Sequence, residues 1–215
     1  MRVCLVNPPR SLKANKKLID VIPVLPLGLA YLASVLLRDG YDVSVIDAQM
    51  DGKDQQVLNG DLLTLGLSWN GIKDKIEGCK PDIVGVTCLF SSRFPNALHV
   101  AKLVKEIDPE IPVVLGGIQP TVQTKEVLAN SEVDFAVLGE GEQTMLDLMN
   151  GKSHRVIDGF GYKEDGQIHI NPKTKFIEDL DSLLSLLDIC SHAISPLKSH
   201  VCMEDLVCTM FIGTV

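Results

Sequence analysis

The sequence is short of nearly every pattern that would declare a catalytic centre. Its six cysteines (Cys4, Cys79, Cys88, Cys190, Cys202 and Cys208) form no Cys-x-x-Cys pair, the nearest two being Cys202 and Cys208. Zinc-ribbon and dithiol motifs are therefore excluded. No Gly-x-Gly-x-x-Gly follows the first strand, and no Gly-x-x-x-x-Gly-Lys-Ser/Thr occurs, which removes the common dinucleotide and phosphate loops. The longest apolar run, Pro23 to Leu37 interrupted by Ser34, is about 15 residues, short of the ~20 that span a bilayer. Clusters of basic residues are missing as well. With 20 Lys and Arg against 28 Asp and Glu, the net charge is −8, a poor match for nucleic acid or anionic membrane. The counts of 17 Gly and 11 Pro are ordinary and leave no place for collagen-like or low-complexity chain.

What remains is a 215-residue chain, 46% hydrophobic and 22% charged, long enough to bury a substantial core. Met1-Arg2 followed by Val-Cys-Leu-Val and Asn-Pro-Pro reads as a strand and a turn, not as a secretory signal. A soluble cytoplasmic protein with reduced cysteines is expected. Cys4 and Cys88, inside apolar strands, are expected to act as small hydrophobes.

Short apolar runs alternate with helical stretches from Met1 to Met149. The strands read as Val3–Val6, Asp42–Ile46, Ile83–Thr87, Val113–Leu115 and Phe135–Leu138. Helices are expected over Leu27–Arg38, near Gly71–Gly78, and over Pro95–Ile107, Thr124–Ala129 and Glu142–Met149. Arg10 to Asp20 reads as a polar loop. Strands that are continuous apolar runs are those buried on both faces by helices. The expectation is an α/β fold: a flavodoxin-like, doubly wound, five-stranded parallel sheet of order 2-1-3-4-5, followed by a β-hairpin connector. The hairpin signal is Asp165-Gly166 between Arg155–Gly161 and Gln167–Asn171. The chain divides into 1–150 as the ligand-binding domain, 151–188 as hairpin and connector, and 189–215 as a weakly patterned tail.

In such a sheet ligands lie outside the carboxyl ends of the strands. The residues there are Asn7, Pro8 and Pro9 after the first strand, and Cys88, Leu89, Phe90, Ser91 and Ser92 after the third. The fourth is followed by Gly116, Gly117, Ile118, Gln119, Pro120 and Thr121, and the fifth by Gly139, Glu140, Gly141 and Glu142. This edge is rich in glycine, proline and small hydroxyls, and it has no Ser-His-Asp set or His-Glu metal pair. It suits a large ligand lying on backbone amides better than it suits catalysis. Structural roles are also open to these residues: Gly116-Gly117 as a tight turn, Glu140 and Glu142 as first-turn acids, and Thr87, Ser91 and Ser92 as helix caps. His99 reads as a packing residue in mid-helix, Trp69 as packing a helix start, and His154, His169, His192 and His200 have no evident partners. A receiver domain would want paired acids where Asn7-Pro8-Pro9 stands.

Taken in order, Val6–Pro9, Leu25–Ala33, Lys80–Thr87, Ile111–Gly117 with Pro120-Thr121, and Val133–Phe135 running into Gly139–Glu142 resemble the N-terminal cobalamin-binding domain of class B radical S-adenosylmethionine enzymes. The likeness covers about residues 1–188. It implies cobalamin as cofactor, on the carboxyl edge, with its nucleotide tail threaded between the first and third strands. Thr87, Leu89, Gly116 and Gly117 would line the tail. Asn7, Pro8 and Pro9 would form the floor under the ring, and Ser91, Gln119, Gly139, Glu140, Gly141 and Glu142 would meet ring amides or the nucleotide sugar. No histidine sits in an Asp-x-His-x-x-Gly loop, so the resemblance implies base-off cobalamin without a histidine on cobalt.

The family continues into a barrel whose Cys-x-x-x-Cys-x-x-Cys holds an iron–sulfur cluster, a spacing this sequence does not contain. No iron–sulfur cluster and no methyl transfer by this chain alone are expected, and the tail from Ser191 reads as a truncated or frame-altered remnant. Two other readings stand beside this one. One is a stand-alone corrinoid carrier or sensor docking on a separate radical S-adenosylmethionine or methyltransferase protein through Phe90, Phe94 and Ile118. The other is a flavodoxin-like domain without ligand.

Overall fold

Strand β1 (Arg2–Asn7) is buried from Val3 onward and stops where Pro8 and Pro9 can donate no backbone N–H. In the computed structural model the described residues are 1–13 and 26–178. The readings for the tail, with Cys190, His192, His200, Cys202 and Cys208, and for most of the Arg10–Asp20 loop lie outside them.

Around β1 the parallel strands β3 (Asp42–Asp47), β6 (Ile83–Thr87), β7 (Val113–Gly116) and β8 (Phe135–Val137) stand in the order β3-β1-β6-β7-β8. By rank among the parallel strands this is 2-1-3-4-5, the expected doubly wound order. The hairpin of β9 (Phe160–Glu164) and β10 (Gln167–Asn171) turns at Asp165-Gly166, both at positive φ, and β9 pairs antiparallel with β8. The hairpin read as a connector therefore extends the sheet to seven strands.

Helices cover both faces. On one lie α3 (Trp69–Cys79), α4 (Phe94–Ile107) and the short α6 (Thr124–Leu128), packed on Cys4, Val6, Val84, Val86, Val113 and Leu115, while the short α5 (Ile118–Val122) stands at the carboxyl edge after β7. On the other lie α1 (Leu27–Arg38) and α7 (Glu142–Met149), packed on Val3, Leu5, Ile83, Val114 and Val137. The alternation of consecutive strand residues between two apolar clusters is what makes these strands uniformly apolar in sequence. No helix among the described residues is long and apolar enough to cross a membrane.

Two features depart from the sequence reading. Arg10–Lys13, read as loop, forms β2 and pairs with β5 (Leu62–Leu65), which also pairs with β4 (Gln56–Asn59) in a small antiparallel sheet. Its strands are four residues each, half-buried over most of β2 and β5 and exposed over residues 56–58, and too short to announce themselves by pattern. Ile118–Val122, read as part of a turn, is helical, and the short α2 (Ala48–Asp51) begins on the Asp47 cap. Trp69 does start α3, and its indole stacks on His99 with ring centroids 4.1 Å apart. Cys4 and Cys88 are buried in the core, without a disulfide among the described residues.

Candidate functional site

The register across the sheet centre sets Leu5 beside Gly85 and Gly85 beside Val114, with Thr87 beside Gly116 in the row nearer the carboxyl edge. All five belong to the face covered by α1 and α7. A row Leu-Gly-Val has a dip at its middle, because Gly85 has no side chain to meet the helices. The dip is close-fitting: a Cβ at Gly85 would stand 2.9 Å from Leu5 Cδ2. The result is a slot of about 450 Å³ between sheet and helices, open at the carboxyl edge. Its floor is Leu5, Gly85, Val114 and Val137, and Leu29 and Leu32 of α1 with Met145 of α7 form the opposite wall. Gly28 in the first turn of α1 has open space at its Cβ position and leaves the mouth wide.

The mouth is built from loops tied to one another. Cys88 N–H donates to Gly116 O at 2.8 Å, and Gln119 N–H donates to Cys88 O at 3.1 Å. Thr121 Oγ1 donates to Gly117 O at 2.8 Å and accepts from Gly139 N–H at 2.9 Å, joining the loops after β7 and β8. Gly117 has φ of +104° and approaches Cys88 so closely that a Cβ would lie 2.8 Å from its carbonyl oxygen, so only glycine serves there. Gly116 is different, since a Cβ would meet only Val137 Cβ, at 4.0 Å.

Of the residues expected at the site, Thr87, Leu89, Gly116, Gly117, Gly139, Glu140, Gly141 and Glu142 line this one slot. Glu142 Oε2 is buried with no hydrogen-bond partner among the described residues, an acceptor awaiting a donor.

Asn7, Pro8, Pro9, Ser91 and Gln119 do not line the slot. Asn7 is buried and donates to Asp47 Oδ1 at 2.8 Å, while Gln49 Nε2 holds Asn7 Oδ1 and Pro8 O, and Asn96 Nδ2 holds Pro9 O at 2.7 Å. These bonds fix the Asn7-Pro8-Pro9 turn beside the mouth. Ser91 Oγ donates to Gln119 Oε1, and the Gln119 side chain is buried. Phe94, read as a docking contact, is buried in the core at the start of α4, whereas Leu89, Phe90, Ile118 and Val122 are exposed around the rim.

Sequence reasoning missed the interior of the slot (Leu5, Gly85, Val114, Val137, the α1 residues and Met145) because it looked only past the strand ends. It also missed Phe176, which lies at the mouth. His99, His154 and His169 are engaged in ring contacts elsewhere, with Trp69, with Phe135 and Phe160, and with Tyr162. Among the described residues no group of three or more His, Cys, Asp or Glu is placed to hold a metal ion. The arrangement can therefore hold a flat, largely apolar body in a deep slot and offer it backbone amides and one carboxylate acceptor.

Residues 23–149 match the family described as "B12 binding domain". Cytidylyl-2-hydroxyethylphosphonate methyltransferase of Streptomyces wedmorensis is 31% identical over 197 residues, covering 83% of this chain and 37% of that protein. Anaerobic magnesium-protoporphyrin IX monomethyl ester cyclase of Rubrivivax gelatinosus is 34% identical over 168 residues, covering 74% and 28%. The chain thus spans about a third of the length of these relatives. Among solved structures, the cobalamin-dependent S-adenosylmethionine radical enzyme OxsB with aqua-cobalamin superposes with a TM-score of 0.60 at 19% identity, over 81% of this chain and 22% of that one. The radical S-adenosylmethionine methyltransferase TsrM from Kitasatospora setae gives 0.59 at 19% identity, over 80% and 30%. These two establish a shared fold.

Proposed function

The chain belongs to the B12 binding domain family, and from that premise we propose that the slot takes cobalamin base-off, nucleotide tail first, with the corrin ring on the carboxyl edge and no histidine on cobalt. The observation that carries the reading is the Leu5–Gly85–Val114 row. A glycine at the centre of a buried parallel sheet weakens packing, and here it opens a slot that ends at the mouth where Gly116, Gly117 and Gly139 come together. Cobalamin supplies a cobalt centre able to carry a methyl group.

The chain's own residues bind and orient. Thr87, Gly116 and Gly117 bound the slot's upper part, and Leu89 and Ile118 give the rim an apolar surface. Glu142 Oε2 accepts a hydrogen bond from a ligand hydroxyl or amide, which would relieve the cost of an unpaired buried oxygen, on the order of 1–3 kcal/mol. Asn7, Pro8 and Pro9, held by the Asp47 and Asn96 hydrogen bonds, form the turn beside the mouth on which the ring would rest, and the Ser91–Gln119 pair stiffens the neighbouring loop.

The relatives bear the names of a methyltransferase and a cyclase. The domain fits as the cobalamin module of a radical S-adenosylmethionine methyltransferase-type system, the catalytic barrel being elsewhere. The exposed rim of Phe90, Ile118 and Val122 supports a face for that barrel, whether on a separate protein or further along a longer chain. The division into ligand-binding residues 1–150, hairpin connector 151–188 and tail 189–215 is part of this proposal.

The test is incubation with hydroxocobalamin followed by gel filtration. The protein fraction should keep cobalt and show a base-off visible spectrum, unchanged in His99→Ala, His154→Ala and His169→Ala. A colourless, cobalt-free fraction would defeat the reading, and a spectrum abolished by one of these substitutions would defeat its histidine-free part.

A further inference from the structure

After the hairpin the chain returns over the carboxyl edge and is fastened there on both sides of one exposed ring. On the first side, Lys173 is nine-tenths buried, with a side-chain exposure of 10%, and its methylenes occupy the space that Gly139 and Gly159 leave. Lys173 Nζ donates to Glu140 O at 2.7 Å and to Thr144 Oγ1 at 3.3 Å, and the Asp158 carboxylate lies 3.8 Å away. Thr174 donates its backbone N–H and its hydroxyl to the same carboxylate. On the second side, Ile177 N–H donates to Glu140 Oε2 at 2.7 Å. Between these anchors stands Phe176, 65% exposed and at the mouth of the slot.

Ordering an extended segment costs roughly 1–2 kcal/mol per residue, and here six hydrogen bonds, the Lys175 N–H to Asp158 among them, offset that cost while leaving Phe176 with no aromatic ring contact among the described residues. The arrangement is intelligible if the ring's partner enters from the slot. We propose that residues 172–178 form a strap that sets Phe176 across the mouth to pack on the bound cobalamin, and that Glu140 is the positioning residue that holds its far side, through Ile177, where Asp158 holds the near side. The inference rests on the slot being the cobalamin site. It gives the Glu140 carboxylate a different task from meeting the ring amides or the sugar, because one of its oxygens is engaged by Ile177 N–H. It also makes the segment after the hairpin part of the binding site.

The test compares release of hydroxocobalamin from wild type, Phe176→Ala, Glu140→Ala and Glu140→Gln, by spin filtration after dilution into excess competing cyanocobalamin. An aromatic contact is worth enough to slow release by roughly three- to tenfold. Phe176→Ala and Glu140→Ala should each release faster by that factor, and Glu140→Gln should restore slow release, because its amide oxygen still accepts from Ile177 N–H. Trypsin cleavage after Lys175 in the ligand-free protein reads the strap directly: it should quicken in Glu140→Ala and stay slow in Phe176→Ala. Wild type that fails to hold hydroxocobalamin would overturn the ligand assignment and the strap's task with it. Wild type that binds, with Phe176→Ala releasing at the same rate, would overturn the strap alone.

Discussion

Leu5 and Gly85 are register partners on adjacent parallel strands, and the leucine leans over the glycine until Cδ2 stands 2.9 Å from where a Cβ would be. The contact marks the deep end of the slot. Because the near atom is the tip of a flexible side chain, the sheet can accept Gly85→Ala by turning Leu5, at the expense of slot volume. The expected outcome is a folded protein whose hydroxocobalamin affinity falls about tenfold, measured by titration in the visible region, with stability lowered by about 1 kcal/mol, the low end for an added methyl group because only the tip of Leu5 must move.

Gly117 and Gly116 should behave oppositely although they are adjacent. Gly117→Ala forces a side chain into positive φ and against the Cys88 carbonyl, which is expected to cost roughly 1–3 kcal/mol and several degrees in Tm. Gly116→Ala meets nothing closer than 4.0 Å and should unfold at the wild-type temperature. Differential scanning calorimetry of the two variants checks the contrast. Equal losses would show that the loop geometry at Cys88 has been misjudged.

Asp47 accepts from Asn7 Nδ2, Gln49 N–H and Met50 N–H through Oδ1, while its buried Oδ2 has no partner among the described residues. Burial raises its carboxyl pKa, and the bonds from Asn7, Met50 and Gln49 offset only part of the rise. An acid whose folded pKa is raised is most stable protonated, so this site favours folding at low pH and loses that contribution as pH rises through the folded pKa. Asp47→Asn removes the charge and retains the Oδ1 acceptor. It should stabilise the protein by on the order of 1 kcal/mol at neutral pH, and the gain should vanish as pH is lowered. A gain independent of pH, or a loss at neutral pH, would contradict this origin.

Cys79, at the end of α3, is held at a pKa of about 6, first by a hydrogen bond from Cys4 and further by Ser44 and Lys75, against the opposing effect of its burial. Cys88 is pushed up to about 11 by burial. Iodoacetamide should therefore modify Cys79 ahead of Cys4 and Cys88, at a rate rising to half its plateau near pH 6. Cys4→Ala removes the donor and should move the half-plateau of that rate upward, toward the ordinary thiol range. Peptide mapping after timed alkylation reads both. Modification of Cys79 unchanged by Cys4→Ala would show that the hydrogen bond does not set its reactivity.

The strand order was legible because each buried strand announces itself by an unbroken apolar run between turn residues. The loop glycines were legible because the carboxyl edge of such a sheet is where a ligand must lie. The slot itself was written in the sequence less openly. Ile83, Gly85 and Thr87 share a face by the two-residue period of a strand, and so do Val114 and Gly116, but a continuously apolar strand hides which residues share which face until its helices are placed. Asn7, Ser91 and Gln119 stood correctly at strand ends, yet their side chains turned to Asp47 and to each other, which spacing does not reveal. Phe176 was out of reach in a different way. Its position depends on Glu140, 36 residues earlier, accepting the N–H of its neighbour Ile177, and no local pattern encodes such a bond.

The most direct measurement is a hydroxocobalamin titration of wild type beside Gly116→Leu, with Tm recorded for both. A Cβ at Gly116 would meet only Val137 Cβ, at 4.0 Å, and Gly116 lines the slot, so leucine should fill the passage and leave the fold intact. The expected result is saturable binding by wild type, with cobalt co-eluting on gel filtration, and none by Gly116→Leu at a Tm within ~2 °C of wild type. Equal binding by both proteins, or by neither, would contradict cobalamin binding in this slot.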